Sequence, residues 1–197
     1  TEKDKVKLIA FAKENPFAFV TGIGDTYPVT TQLPLEITEE ENKIIFSGHM
    51  MRKTDHHIAF ENNNNVLVVF YSPHTYVDAN RYENPAVGST VNYITVQAKG
   101  KILFLDEAGT YAAIKQITDK YIGQGTAASF DKISEEYKTT MMKAIAGFRI
   151  EVENMEGVFK LSQNMHAADQ KSIINHLEKR ATLGDIFIAG KMKELLA

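Results

Sequence analysis

Two short stretches concentrate residue types that can do chemistry. In Ser47-Gly48-His49-Met50-Met51-Arg52-Lys53-Thr54 a strand-like run gives way to a polar, helix-like one, and such a junction suits an anion. Backbone amides at a helix start, a hydroxyl and the cations Arg52 and Lys53 can together hold a phosphate. Each close charge pair there is worth about 4 kcal/mol at an effective dielectric of roughly 20, before desolvation. The same two cations also suit a solvated helix face, and their types alone do not separate the two roles. The second stretch, Phe159-Lys160-Leu161-Ser162-Gln163-Asn164, gathers ammonium, hydroxyl and amide donors at the end of a strand. Such donors match the carbonyls and N1 edge of a flavin, although propensity alone favours Ser162 or Asn164 as the cap of a following helix. Asn92-Tyr93, entering a long strand, is open in the same way, with Tyr93 as core or as an aromatic platform.

What is absent narrows the field. With no cysteine, disulfide scaffolds, thiol nucleophiles, thiolate zinc sites and iron–sulfur clusters are excluded. Gly22-Ile23-Gly24 is followed by Tyr27 where a dinucleotide fingerprint needs its third glycine, and by a strand where it needs a helix, so it reads as a turn. There is no Walker loop, nucleophile elbow or His-Glu-x-x-His helix. His56 and His57 are adjacent and diverge by about 100 degrees on a helix, which keeps them from facing one metal together. A net charge of −3 from 22 basic and 25 acidic residues argues against a surface-wide phosphate-binding face. The longest apolar run, Val66 to Tyr71, is far short of the roughly 20 residues of a membrane span. Thr1-Glu2-Lys3-Asp4-Lys5 lacks the blocks of a signal peptide, so no membrane and a cytoplasmic setting are expected.

The elements that must position these residues follow from pattern and punctuation. A composition with 44% hydrophobic residues can bury a core, and one domain over residues 1–197, with C-terminal helices at about 165–197, is expected. Thr1 and Asp4 resemble a capping box for a first helix that Asn15-Pro16 stops. Phe17 to Thr21 and Val29 to Ile37 read as a hairpin; after a polar turn at Glu39-Glu40-Glu41-Asn42, Lys43 to Ser47 continues a β-meander. A short helix follows within Met50 to Glu61, then a central strand at Val66 to Tyr71. Ser72 to Gly88 is a long loop of the kind that is often functional, with Tyr76 and Tyr82 placed to line a pocket. Thr90 to Phe104 makes a long strand with a bulge or bend at Gly100. Helices follow from Asp106 and around Ser134 to Ala146. Phe148 to Val152 and Val158 to Leu161 then form a last hairpin about Asn154 to Gly157, before helices at Ala168 to Arg180 and Asp185 to Leu196. Six or seven consecutive antiparallel strands with late helices suit a small decorated β-barrel.

The order of these segments resembles the FMN-binding split-barrel proteins of the PaiB-type transcriptional-regulator family, a branch of the pyridoxamine-phosphate-oxidase-like flavoproteins. The resemblance runs almost end to end, through Thr31-Gln32-Leu33-Pro34-Leu35, Gly48-His49-Met50-Met51-Arg52, Pro73-His74-Thr75-Tyr76, Thr90-Val91-Asn92-Tyr93, Gly147-Phe148-Arg149-Ile150 and Lys160-Leu161-Ser162-Gln163-Asn164 with Asp169. Gln32, Val91 and Met165 stand where that family has His, Trp and Arg. The resemblance implies a mainly β chain with added helices: a six-stranded antiparallel split β-barrel that forms a homodimer with FMN in interfacial clefts. It implies the flavin phosphate at Arg52 and Lys53, Thr30, Thr31 and Leu33 beside the ring, and Gly48 and His49 beside the ribityl chain. Asn92, Tyr93, Lys160, Gln163 and Asn164 would close the cleft.

Two functions are then in view. One is a flavin-dependent oxidoreductase or flavin reductase using NAD(P)H, in which no dedicated acid or base stands out and His49, His74 or Tyr76 would at most transfer protons. The other is a PaiB-like negative regulator or flavin sensor acting on a protein or on DNA. For the latter the sequence offers no helix-turn-helix, and only Lys171, Lys179, Arg180, Lys191 and Lys193 as a late basic set, which a solvated surface explains equally well.

Overall fold

The computed structural model describes residues 2–41 and 43–196. The expected cap at Thr1 and the Asn42 end of the polar turn therefore lie outside the described residues. The chain forms two compact units, Thr1–Phe70 with Gln97–Glu156, and Tyr71–Val96 with Gly157–Ala197. Its strands are β1 (Phe17–Ile23), β2 (Pro28–Pro34), β3 (Glu36–Glu40), β4 (Lys43–Met51), β5 (Asn65–Tyr71), β6 (Thr75–Val77), β7 (Thr90–Phe104) and β8 (Ile145–Lys160). The helices are α1 (Glu2–Glu14), α2 (Asp55–Asn62), α3 (Glu107–Ile122), α4 (Glu135–Ala144), α5 (Ala167–Arg180) and α6 (Leu183–Leu196). Along the sheet the order is β2-β1-β5-β7-β8-β4-β3, with β6 beside β7.

In the first unit, α1 ends where Pro16 cannot continue it, and the Asn15 amide and side chain both bond to the Phe11 carbonyl, at 3.0 and 2.9 Å. β1 and β2 form the expected hairpin, with Phe17 opposite Pro34 and Ile23 opposite Pro28. The run Val29 to Ile37 is two strands rather than one: Pro34 ends β2, the Leu35 amide turns to the Pro16 carbonyl at 2.9 Å, and β3 departs to pair with β4. β2 and β3 thus stand at opposite ends of the strand order, and the expected meander is broken there. Alternation in β4 and β8 sends Phe46, Met50, Ala146, Phe148 and Ile150 into a core shared with Phe60 and Phe70, where Phe46 meets the edge of Phe70 at 5.2 Å between ring centres. Gly100 does not interrupt β7: the strand runs through it, and glycine is needed because a Cβ would stand 2.3 Å from the Glu151 carbonyl oxygen. Between α3 and α4, Phe130 is fully buried against the edge of Tyr111, with the Lys115 and Lys138 ammonium groups 5.7 and 5.2 Å from its ring centre.

The expected hairpin at Asn154 to Gly157 is absent; β8 is one strand through Lys160. A tight reversal needs left-handed residues, and none of the positive-φ residues falls there. Among the described residues eight strands are formed where the pattern suggested six or seven, the short β3 and β6 among them.

In the second unit, β6 lies in the expected long loop and pairs with the start of β7, Thr75 opposite Asn92. A single carboxylate organises the α5–α6 turn. Asp185, wholly buried, accepts from Arg180 Nε at 2.8 Å, from Arg180 Nη2, from the Thr182 amide at 3.1 Å and from the Thr75 hydroxyl. The Arg180 guanidinium holds its carboxyl well below the usual carboxylate range, with the Thr75 and Thr182 hydrogen bonds acting in the same direction.

Candidate flavin site

The sequence-derived site residues divide between the units. Thr30, Thr31, Leu33, Gly48, His49, Arg52 and Lys53 lie in the first; Asn92, Tyr93, Lys160, Gln163 and Asn164 lie in the second.

In the first unit, Thr30 is exposed on β2 and shares a hydrogen bond with Thr21 across the hairpin, while Thr31 and Leu33 are half-buried. Gly48 is buried, and the Cβ it lacks would meet the Phe148 ring at 2.8 Å and Leu35 at 3.2 Å, so core packing itself requires the glycine. His49, on the other side of the pleat, keeps a buried Nδ1 with no partner among the described residues. Burial lowers its pKa from the ordinary histidine value.

Arg52 and Lys53 occupy the turn from β4 to α2. The Arg52 amide reaches the Ala144 carbonyl at 2.8 Å and its Nε the Ile145 carbonyl at 2.8 Å. Its Nη1 and Nη2 make no hydrogen bond or ion pair among the described residues, and the same holds for the exposed Lys53 ammonium. Lys53 has φ +62°, in the left-handed region that a side chain occupies at a cost on the order of 1–3 kcal/mol, a feature that gathers at functional sites.

The α2 amides, in contrast, are engaged. Thr54 caps the helix, its hydroxyl taking the His57 amide at 3.3 Å and its carbonyl the Ile58 amide at 3.1 Å, while Asp55 takes the His56 amide at 2.8 Å. An anion here is thus met by side chains rather than by the helix start. Two cations without counter-charges among the described residues supply what the phosphate of a flavin mononucleotide requires, and the orphaned His49 Nδ1 on β4 is a further polar atom able to donate or accept according to its tautomer.

In the second unit, Asn92 is fully buried and closes a reciprocal pair with Ser162: Nδ2 donates to Oγ at 2.9 Å and Oγ donates to Oδ1 at 3.2 Å. Gln163 bonds its own turn, Oε1 accepting from the Leu161 amide at 2.8 Å and Nε2 donating to the Phe159 carbonyl at 2.6 Å. Neither Ser162 nor Asn164 caps α5, whose N-cap is His166. A cleft of about 270 Å³ brings Asn92, Lys160 and Asn164 together, with Tyr93 and Gln163 outside its lining. Tyr82, from the long loop, joins that lining as its aromatic character suggested; Thr90, the first residue of the Thr90-Val91-Asn92-Tyr93 segment, also lines it, as does Ser89, which no motif had marked. His74 and Tyr76 are exposed in this unit.

Most of the late basic residues are neutralised. Arg180 holds Asp185, Lys191 lies 3.2 Å from Glu194 and Lys193 pairs with Glu178. Among the described residues no helix is long and apolar enough to cross a membrane.

Comparison with known proteins gives these features a context. The sequence model of a family described as "Putative FMN-binding domain" matches residues 1–154. The "Protease synthase and sporulation protein PAI 2" of Bacillus subtilis is 30% identical over 169 residues, covering 85% of this chain and 81% of that protein. Among solved structures, the flavocytochrome Anf3 from Azotobacter vinelandii superposes with a TM-score of 0.61 at 16% identity, over 79% of this chain and 67% of that one. The FAD and heme binding protein from Mycobacterium smegmatis gives 0.59 at 15% identity, over 79% and 71%. At such identities the likeness is one of fold, and the fold is the antiparallel split barrel. The match over most of its length, together with the Bacillus relative, makes this chain a member of the FMN-binding family, with a flavin as its cofactor.

Proposed function

We propose that this chain is a flavin-dependent oxidoreductase of the flavin-reductase kind, which holds FMN at the β4–α2 turn and is reduced by NADH or NADPH. The observation that carries the reading is the pair of cations at the β4–α2 turn, Arg52 with its Nη groups open and Lys53 held at positive φ, neither with a counter-charge among the described residues. Bound FMN would supply the electron-transfer chemistry. The protein would supply binding, orientation and shielding. Arg52, already steered by its Nε contact to Ile145, would present both Nη groups to the phosphate, and Lys53 would add a second charge from the strained turn. Thr31 and Leu33, half-buried on β2, would border the ring. His49, kept neutral near pH 7 by burial, would offer Nδ1 for one hydrogen bond or proton exchange with the ligand. The working form in this proposal is a cytoplasmic homodimer.

Direct DNA contact by a PaiB-type regulator has less support, because three of the five late cations already serve carboxylates of the chain. The test is anaerobic addition of NADH or NADPH to the purified yellow protein. Bleaching by either supports an oxidoreductase; colour that persists with both refutes it. A promoter-fragment shift that weakens steeply with salt would favour the regulator.

A further inference from the structure

We propose that the cleft of the second unit is a binding site for a small ligand bearing a carboxylate or phosphate group, with Lys160 as its counter-charge. Lys160 ends β8 and donates to the Thr90 hydroxyl at 2.6 Å, a neutral partner that leaves two ammonium protons available. Tyr82, Ser89 and Asn164 line the same space with hydroxyl and amide groups, and no carboxylate lines it among the described residues. Burial raises the Tyr82 pKa, so its phenol stays a donor at neutral pH. Asp169, the acid of the first turn of α5, is buried and takes the Glu83 amide at 2.8 Å. The reciprocal Asn92–Ser162 pair satisfies the polar floor, and Ser89, whose hydroxyl oxygen accepts the Ala79 amide at 3.0 Å, keeps its own proton to donate, so Lys160, Tyr82, Ser89 and Asn164 are the groups able to meet an oxyanion. The chain enters α5 two residues beyond the cleft-lining Met165, and its N-cap, His166, gives the first turn no side-chain acceptor. About 270 Å³ is slightly below the roughly 300–1,000 Å³ of drug-sized pockets, which limits the occupant to a small molecule or the end group of a larger one.

The test uses the full chain saturated with FMN, so that any phosphate site serving the cofactor is filled. Inorganic phosphate and succinate are titrated separately by calorimetry, the two arms distinguishing the oxyanion classes. Binding of at least one probe, weakened about tenfold or more in Lys160→Met and retained in Lys160→Arg, supports the site. Absence of binding by both probes, equal binding by Lys160→Met, or displacement of FMN by the probe overturns it. Should Lys160→Met fail to fold, Asn164→Leu at an exposed position replaces it, with weakened binding supporting the site and unchanged binding overturning it. Flavin content, read by visible absorbance on each sample, reports on the β4–α2 turn separately.

Discussion

Replacing Arg52 and Lys53 by alanine, singly and together, resolves what each contributes to holding FMN. Arg52 is half-buried with Nε fixed 2.8 Å from the Ile145 carbonyl, so its fork is oriented before any ligand arrives. A hydrogen bond from such a charged group contributes about 1.5–3 kcal/mol. At about 2 kcal/mol, Arg52→Ala should weaken FMN binding roughly thirtyfold. Lys53 is exposed and screened by water, so about 0.5–1 kcal/mol, or roughly two- to fivefold, is expected of Lys53→Ala. The double variant should lose about a hundredfold if the two act independently. Arg52→Lys keeps the charge, loses the planar fork and should fall between wild type and Arg52→Ala. The assay is quenching of flavin fluorescence on titration into flavin-free protein, at low salt and at about 0.5 M salt, where the Lys53 effect should shrink. Riboflavin, which has no phosphate, provides the control. If Lys53→Ala costs more than Arg52→Ala, or riboflavin loses as much affinity as FMN, these residues do not hold the phosphate.

Further perturbations probe the scaffold. Asp185→Asn removes the charge opposing Arg180 in a partly buried network and should cost about 2–4 kcal/mol, seen as a lower urea midpoint. Because the folded carboxyl is depressed, its stabilisation is present above the unfolded value of about 3.9 and is lost as pH falls below it; a gap between wild type and variant that stays constant down to low pH contradicts this. Gly100→Ala, with its Cβ against the Glu151 carbonyl, should destabilise by about 1–3 kcal/mol or more, whereas Gly190→Ala, in α6 with open space around it, should stabilise by about 0.5–1 kcal/mol; thermal denaturation with the order reversed would contradict both. The His49 imidazole, followed by NMR, should titrate below about 6.5, and a midpoint above that would show that burial does not govern it.

Where local pattern and tertiary need agreed, the sequence was readable. Thr90 to Phe104 alternates and is β7; Asn15-Pro16 stops α1; Asp106 caps α3 by taking the Gly109 amide at 2.8 Å. What long-range packing decides was not readable. Nothing local says that Leu35 will turn to Pro16 and split one strand-like run between two edges of the sheet, or that Gly157 stays extended. At the candidate site, the cations and their turn were legible as residue types. Their freedom from partners depends on Ile145, more than ninety residues away, which draws on Nε and leaves the rest of the guanidinium open. Asn92 and Ser162, seventy residues apart, were legible as polar residues; their mutual bond was not.

Phe130 bears on how the stretch between α3 and α4 meets proteolysis. Gly123 and Gly125 have positive φ and open surroundings and residues 124–128 are exposed, yet a few residues later the aromatic ring is moored beneath Tyr111 and two ammonium groups. The mooring divides the crossing into a short tether and a fixed post. A protease sampling the folded chain should therefore cut between Gly123 and Ala128, and trimming that tether should leave α4 docked through the ring and its lysines.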